Sequence, residues 1–221
     1  MTTSGGLPPG VDGFACRFDL QAGWVDLTLQ GGSKAEATGL AGSALDEFNP
    51  LELQVSKRGL MNDLIDRAMD LNSDDPILAA SYYGRDGVSL INLVVDSYGE
   101  DGAPRPSREE VQPLLVRSGP DNTVVASEPD ISYLDIPAGP AVRIQAMAKA
   151  KRMFGFGSRL NEFIKYAVFP PNIEQLIVIT ANWQDIQRTD ELAQVTDGLV
   201  ATMRNVPLDA NGQEIVSGPL E

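Results

Sequence analysis

The chain has 221 residues, 31 acidic against 17 basic side chains, a net charge of -14 and 43% hydrophobic residues. That length suits one domain of about 100 to 200 residues with ragged ends, and the composition supports a packed core rather than disorder throughout. The acid excess argues against general nucleic-acid or anionic-membrane binding, and the absence of histidine excludes Ser-His-Asp and Cys-His catalysis, histidine-ligated zinc or haem, and a histidine pH switch.

Residues 1–13, "MTTSGGLPPGVDG", read as a flexible tail, as do residues 207–221, "PLDANGQEIVSGPLE". The opening has no positive n-region, apolar run or lipidation cysteine, and nowhere do about 20 apolar residues follow one another. The expectation is therefore a cytoplasmic protein without membrane insertion, with a single domain over residues 14–206. Cys16 is the one cysteine, so no intrachain disulfide forms. On a strand, without a histidine to activate it, it is read as a buried, inert thiol.

"FACRFDLQAGWVDLTL" alternates apolar and polar residues around Ala22 and Gly23, which predicts two strands joined by a tight turn. Residues 31–50 are rich in Gly and Ala and give no clear period. From about residue 56, Leu60, Met61, Leu64, Ile65, Ala68 and Met69 recur at helical spacing and predict a core-facing helix. "ILAASYYGR" and "VSLINLVVDSY" flank Asp86-Gly87 and predict a hairpin with a type I′ turn. Ser107 and Glu110 have the spacing of a capping box at a helix start.

A turn at residues 119–122 leads into three strand runs, "TVVASEPDISYLDIPAGPAVRIQAMAKA", "NEFIKYAVFP" and "EQLIVITANW", with turns at 137–140 and 170–172. "TDELAQVTDGLVATMRNV" places Leu192, Val195, Leu199, Val200 and Met203 on one face of a last helix, with Thr189 or Asp190 as its N-cap. Runs of strand with helices beside them predict an α+β fold: a central antiparallel sheet flanked by helices.

This order of elements carries a resemblance. "FDLQAGWVDL", "YLDIPAGPAVRIQ" and "FIKYAVFPPNIEQLIVITANW" followed by a helix resemble the entry hairpin, the central strand entry and the closing hairpin of the PsbP-like superfamily. That superfamily includes the extrinsic photosystem II subunit, a Ran-binding nuclear-transport factor and actinobacterial LpqN-type proteins. Over residues 14–206 the resemblance implies an α/β/α sandwich used as a binding scaffold and not as an enzyme. The opening sequence does not match a lipoprotein leader, so that role is not carried over.

The sharpest local feature is "KAKRMFGFGSR" at 149–159. Residues 149–165 hold five basic side chains against one acidic, a net of +4 within a chain of -14. Gly155-Phe-Gly157 begins like a dinucleotide loop, but Leu160 stands where the third glycine belongs and a strand follows instead of a helix, so no phosphate cradle is expected. Two readings stand. One is a solvated hairpin tip whose glycines supply positive φ. The other is a docking loop, with Met153, Phe154 and Phe156 as anchors ringed by Lys149, Lys151, Arg152 and Arg159, facing a protein partner with an acidic surface.

Asp70-Leu-Asn72-Ser-Asp74-Asp75 starts like a calcium loop but lacks its glycine and closing glutamate, so it is read as a helix end, and Asp209–Glu214 is assigned to the tail. No carboxylate pair sits in a motif, and Trp24 and Trp183 are read as packing residues. Arg143 is expected to pair with a strand-facing carboxylate. No catalytic residue, metal or cofactor is assigned. The expected function is a non-catalytic adaptor or accessory domain; the alternatives are a small-ligand or carbohydrate-binding module and a structural subunit of a larger assembly.

Overall fold

The computed structural model describes residues 11–99, 104–117, 124–151, 158–171 and 173–215. It is an α+β fold built on one eight-stranded antiparallel sheet with helices on both faces. The strands are β1 (Gly13–Arg17), β2 (Trp24–Asp26), β3 (Leu78–Tyr83), β4 (Ser89–Tyr98), β5 (Val124–Val125), β6 (Asp130–Ile136), β7 (Gly139–Lys151), β8 (Ser158–Val168), β9 (Leu176–Trp183) and β10 (Arg204–Leu208). The helices are α1 (Lys34–Leu45), α2 (Lys57–Leu71), α3 (Arg108–Arg117) and α4 (Thr189–Val200).

The large sheet runs β2-β3-β4-β9-β8-β7, with β6 and then β5 paired one after the other along the outer edge of β7. Alternation along each strand sends its two sets of side chains to opposite faces. Ile91, Leu93, Ile164, Tyr166, Ile179 and Trp183 meet Leu192, Leu199 and Val200 of α4. On the other face, α2 packs Leu60, Leu64 and Ala68 over Ala79 and Tyr83, while α3 packs Val111 and Leu115 over Val142, Ile144 and Val178. β9 sits at the centre and is buried on both faces, which explains its nearly unbroken apolar run.

The capping box forms as expected: Glu110 N donates to Ser107 Oγ at 3.3 Å and Ser107 N donates to Glu110 Oε2 at 2.8 Å. The region without a clear period contains α1, whose buried side chains are Ala37, Ala41 and Ala44. A helix that packs through alanines at spacings of four and three offers little hydrophobic contrast with the Gly, Ser and Thr around it.

Four expectations are corrected. β1 and β2 form no hairpin: β1 pairs with β10 as a separate two-stranded sheet, whereas β2 pairs with β3. The β3–β4 hairpin exists, but Asp86 does not take the positive φ that a type I′ turn requires; Gly87 alone does, at +78°, in a loop closed by Gly84 N donating to Val88 O. Neither Thr189 nor Asp190 caps α4: Arg188 holds that position at the end of a 3-10 turn, and Thr189 Oγ1 accepts a hydrogen bond from Trp183 Nε1 instead. Residues 207–215 are not tail. Pro207 and Leu208 complete β10 opposite Phe14 and Gly13, and Ile215 N donates back to Pro207 O.

Candidate functional site

β7 and β8 pair through eleven positions, from Ala141 opposite Val168 to Lys151 opposite Ser158. β9 accompanies β8 from Val168 to Glu162, and among the described residues β5 pairs with β7 at Ala148 and Lys149. The pairs from Ala148 with Asn161 to Lys151 with Ser158 therefore extend past the end of β9. There the hairpin continues beyond β9 as a two-stranded ribbon.

The root of this ribbon is fastened by a polar ladder. Arg143 on β7 grips Asp197 of α4 with two donors, Nε to Oδ1 at 2.8 Å and Nη2 to Oδ2 at 3.3 Å, and Nη2 also reaches Gln145 Oε1 at 2.8 Å. Gln145 Nε2 donates to Glu162 Oε1 across the strands at 3.0 Å, and the buried Tyr166 hydroxyl donates to Asp197 Oδ1. The strand-facing carboxylate expected for Arg143 is Asp197 of α4; Asp130 of β6 lies farther off, 3.8 Å from Arg143 Nη1. Burial is the largest single influence on Arg143 and opposes its charge, but the bond to Asp197 and the electrostatic attraction of Tyr166 and Asp197 together outweigh it and leave the guanidinium pKa raised. Burial and the Asp197 carboxylate together hold the Tyr166 phenol protonated well above its ordinary range.

Of the residues singled out from the sequence, Lys149 is exposed on β7. Lys151 and Arg159 lie on the described backbone of the ribbon, one on each strand. Arg152, Met153, Phe154 and Phe156 fall outside the described residues. Lys165 does not join this basic surface: it is 7% exposed on the face opposite Tyr166, its Nζ lies 6.0 Å from the Phe163 ring centre, and burial lowers its pKa. Sequence reasoning missed the fastening role of Asp197 and Gln145, because nothing in the spacing of 143, 145, 162 and 197 announces contact; the one available signal was a guanidinium inside the apolar run 141–144.

The acidic run at 70–75 closes α2. Asn72 Nδ2 donates to the carbonyls of Leu27 and Ala68, and its Oδ1 accepts from Leu29 N. Asp209 Oδ1 accepts from Asn211 N and Gln213 N and so shapes the turn after β10. Among the described residues no group of three or more Asp, Glu or Cys side chains is placed to hold a metal ion, and no helix is long and apolar enough to cross a membrane.

No protein-family model matches the sequence, and no curated protein matches it. Among solved structures, the crystal structure of LpqN, described as involved in cell envelope biogenesis of Mycobacterium tuberculosis, aligns over 90% of this chain and 86% of its own at 12% identity and a TM-score of 0.45.

Proposed function

We propose that the chain is a non-catalytic protein-binding domain on a PsbP-like scaffold, and that it docks an acidic partner surface through the outer end of the β7–β8 ribbon. The observation that carries this reading is the extension of the β7–β8 ribbon past the end of β9 at the place where the basic residues gather. An ordinary hairpin tip needs only a short connection, whereas extra paired residues beyond the sheet contribute nothing to its core and add reach. The ladder from Gln145 through Arg143 to Asp197 fixes the root of the ribbon against α4, which lowers the entropy lost when its tip is engaged. In an acidic molecule, local positive charge steers an acidic partner toward this end.

Capture from the native lysate by the wild type, and by the double variant Phe154→Ala/Phe156→Ala, tests the proposal at low and high salt. The expected result is one acidic protein retained by the wild type, released by salt and lost in the double variant, whose thermal midpoint is unchanged. Equal capture by both forms would remove the ribbon from the function.

A further inference from the structure

At the other end of the sheet, with β4 and β9 between it and the ribbon, a groove of about 240 Å³ runs between the β2–β3 edge and α4. Its floor is an aromatic pair. Trp24 and Tyr82 are direct cross-strand neighbours, with ring centres 5.4 Å apart and planes tilted by 56°. Gly23 makes this arrangement possible: its φ is +94°, and a Cβ there would lie 2.5 Å from the Tyr82 ring. The far wall is one face of α4, Glu191, Gln194 and Gly198, and Gln21 contributes from the turn before β2.

The chemistry of this lining limits what it can hold. Arg188 binds both carboxylate oxygens of Glu191, at 2.9 and 2.6 Å, so the charged rim is already neutralised and offers no net attraction to an ion. The side-chain amides of Gln21 and Gln194 bond to no described residue, and each offers both donors and an acceptor. A flat heteroaromatic ring cannot stack on both rings of a floor tilted by 56°. A polyproline segment presents acceptors only and would leave the carboxylate and amide oxygens without donors. A neutral ring with apolar C–H faces and a rim of hydroxyls satisfies both the aromatic floor and the mixed donor and acceptor wall. The volume lies below the roughly 300 to 1,000 Å³ of drug-sized sites, which suits one ring and not an extended ligand.

We infer that this groove binds a single pyranose ring, free or as the terminal unit of a glycan, seated on Trp24 and Tyr82 and hydrogen-bonded by Gln21, Gln194 and the Arg188–Glu191 pair. Gly198 supplies the space: a Cβ there would meet no atom within 4 Å, so packing within the chain does not require the glycine, and it weakens the helix it interrupts. The site is independent of the ribbon proposed for partner docking.

The test is a nuclear magnetic resonance titration of the full chain with free glucose, galactose, mannose and N-acetylglucosamine and with their methyl glycosides, which stand for a terminal unit. The expected result is saturable shifts confined to the Trp24 indole N–H and amides around residues 21–24, 82 and 191–198 with at least one pyranose. Preference for the glycoside or the free sugar identifies the source. Gly198→Leu fills the groove without touching its floor and is expected to abolish the shifts while leaving the thermal midpoint equal or higher; Gln194→Ala is expected to weaken binding about tenfold, the effect of one lost hydrogen-bonded contact. The proposal is overturned if no pyranose shifts these resonances at millimolar concentration, if tetramethylammonium or a polyproline peptide does so in their place, or if Gly198→Leu binds as the wild type does.

Discussion

Cys16 lies on β1 with its side chain turned toward the core cluster under α4, and burial raises its thiol pKa from 9.0 to about 12, against a smaller lowering by Arg17. Between pH 9 and pH 12 the unfolded chain gives up this proton while the native chain keeps it, so the native state binds more protons and stability falls as the pH rises. The slope from this one group approaches about 1.4 kcal/mol per pH unit. Urea unfolding followed from pH 8 to 11 is expected to show that alkaline loss in the wild type and a flatter limb in Cys16→Ala; parallel limbs would contradict it. A second residue-scale prediction concerns Asp197, which accepts from Arg143 and Tyr166 at once. Truncation leaves a guanidinium only 13% exposed and a buried phenol without that partner. The full penalty for breaking a buried pair, about 3 to 5 kcal/mol, is reduced here because the Asp197 side chain is itself 44% exposed. Asp197→Ala is expected to lower stability by about 2 kcal/mol and Asp197→Asn by about half of that, read as a fall in urea midpoint at constant m.

Among the elements, α3 depends most on its ends. It is ten residues long, carries Pro113 inside it and buries only Val111 and Leu115. The proline removes an amide donor from the helix, so the reciprocal bonds of Ser107 and Glu110 carry a large share of its stability. Ser107→Ala is expected to cost about 1 kcal/mol. Hydrogen exchange should quicken across 108–112 while the amides of β8 and β9 keep their protection; equal loss in all three would mean that α3 does not open on its own. The same helix shows what kind of element was legible in advance. α2 and α4 announce themselves because large apolar residues stand against polar and charged neighbours at helical spacing, and α3 announces itself through its capping box. α1 does not, because its buried positions are all alanine. Strand alternation in 14–26 was also real, but alternation says which side chains share a face and not which strand lies alongside, so β1 was assigned to the wrong neighbour.

At the scale of the whole molecule, the same limit applies to sites and boundaries. Local charge made the basic end of the ribbon visible from sequence, since its residues are contiguous. The groove over Trp24 and Tyr82 was not visible, because folding alone brings residues 21–24, 82 and 191–198 together. The C-terminal boundary failed for a related reason: "PLDANGQEIV" has no apolar period, yet its first residues are held by β1, about 190 positions earlier in the chain. Pro207 and Leu208 pair with Phe14 and Gly13, Asp12 N donates to Leu208 O, and Glu214 accepts from Arg17 Nε at 2.7 Å. The two ends thus close a small sheet beside Met203 and Phe18, on the side of the fold that α4 covers. A chain ending at residue 206 loses the outer half of that sheet, and one ending at 215 keeps it. With two or three backbone bonds at about 1 kcal/mol each, the shorter chain is expected to be about 2 kcal/mol less stable. For a domain of this size that is a fall of about 4 to 8 °C in thermal midpoint relative to the chain ending at 215. Equal midpoints for the two truncations would mean that β1 and β10 close the fold in outline but contribute little to holding it.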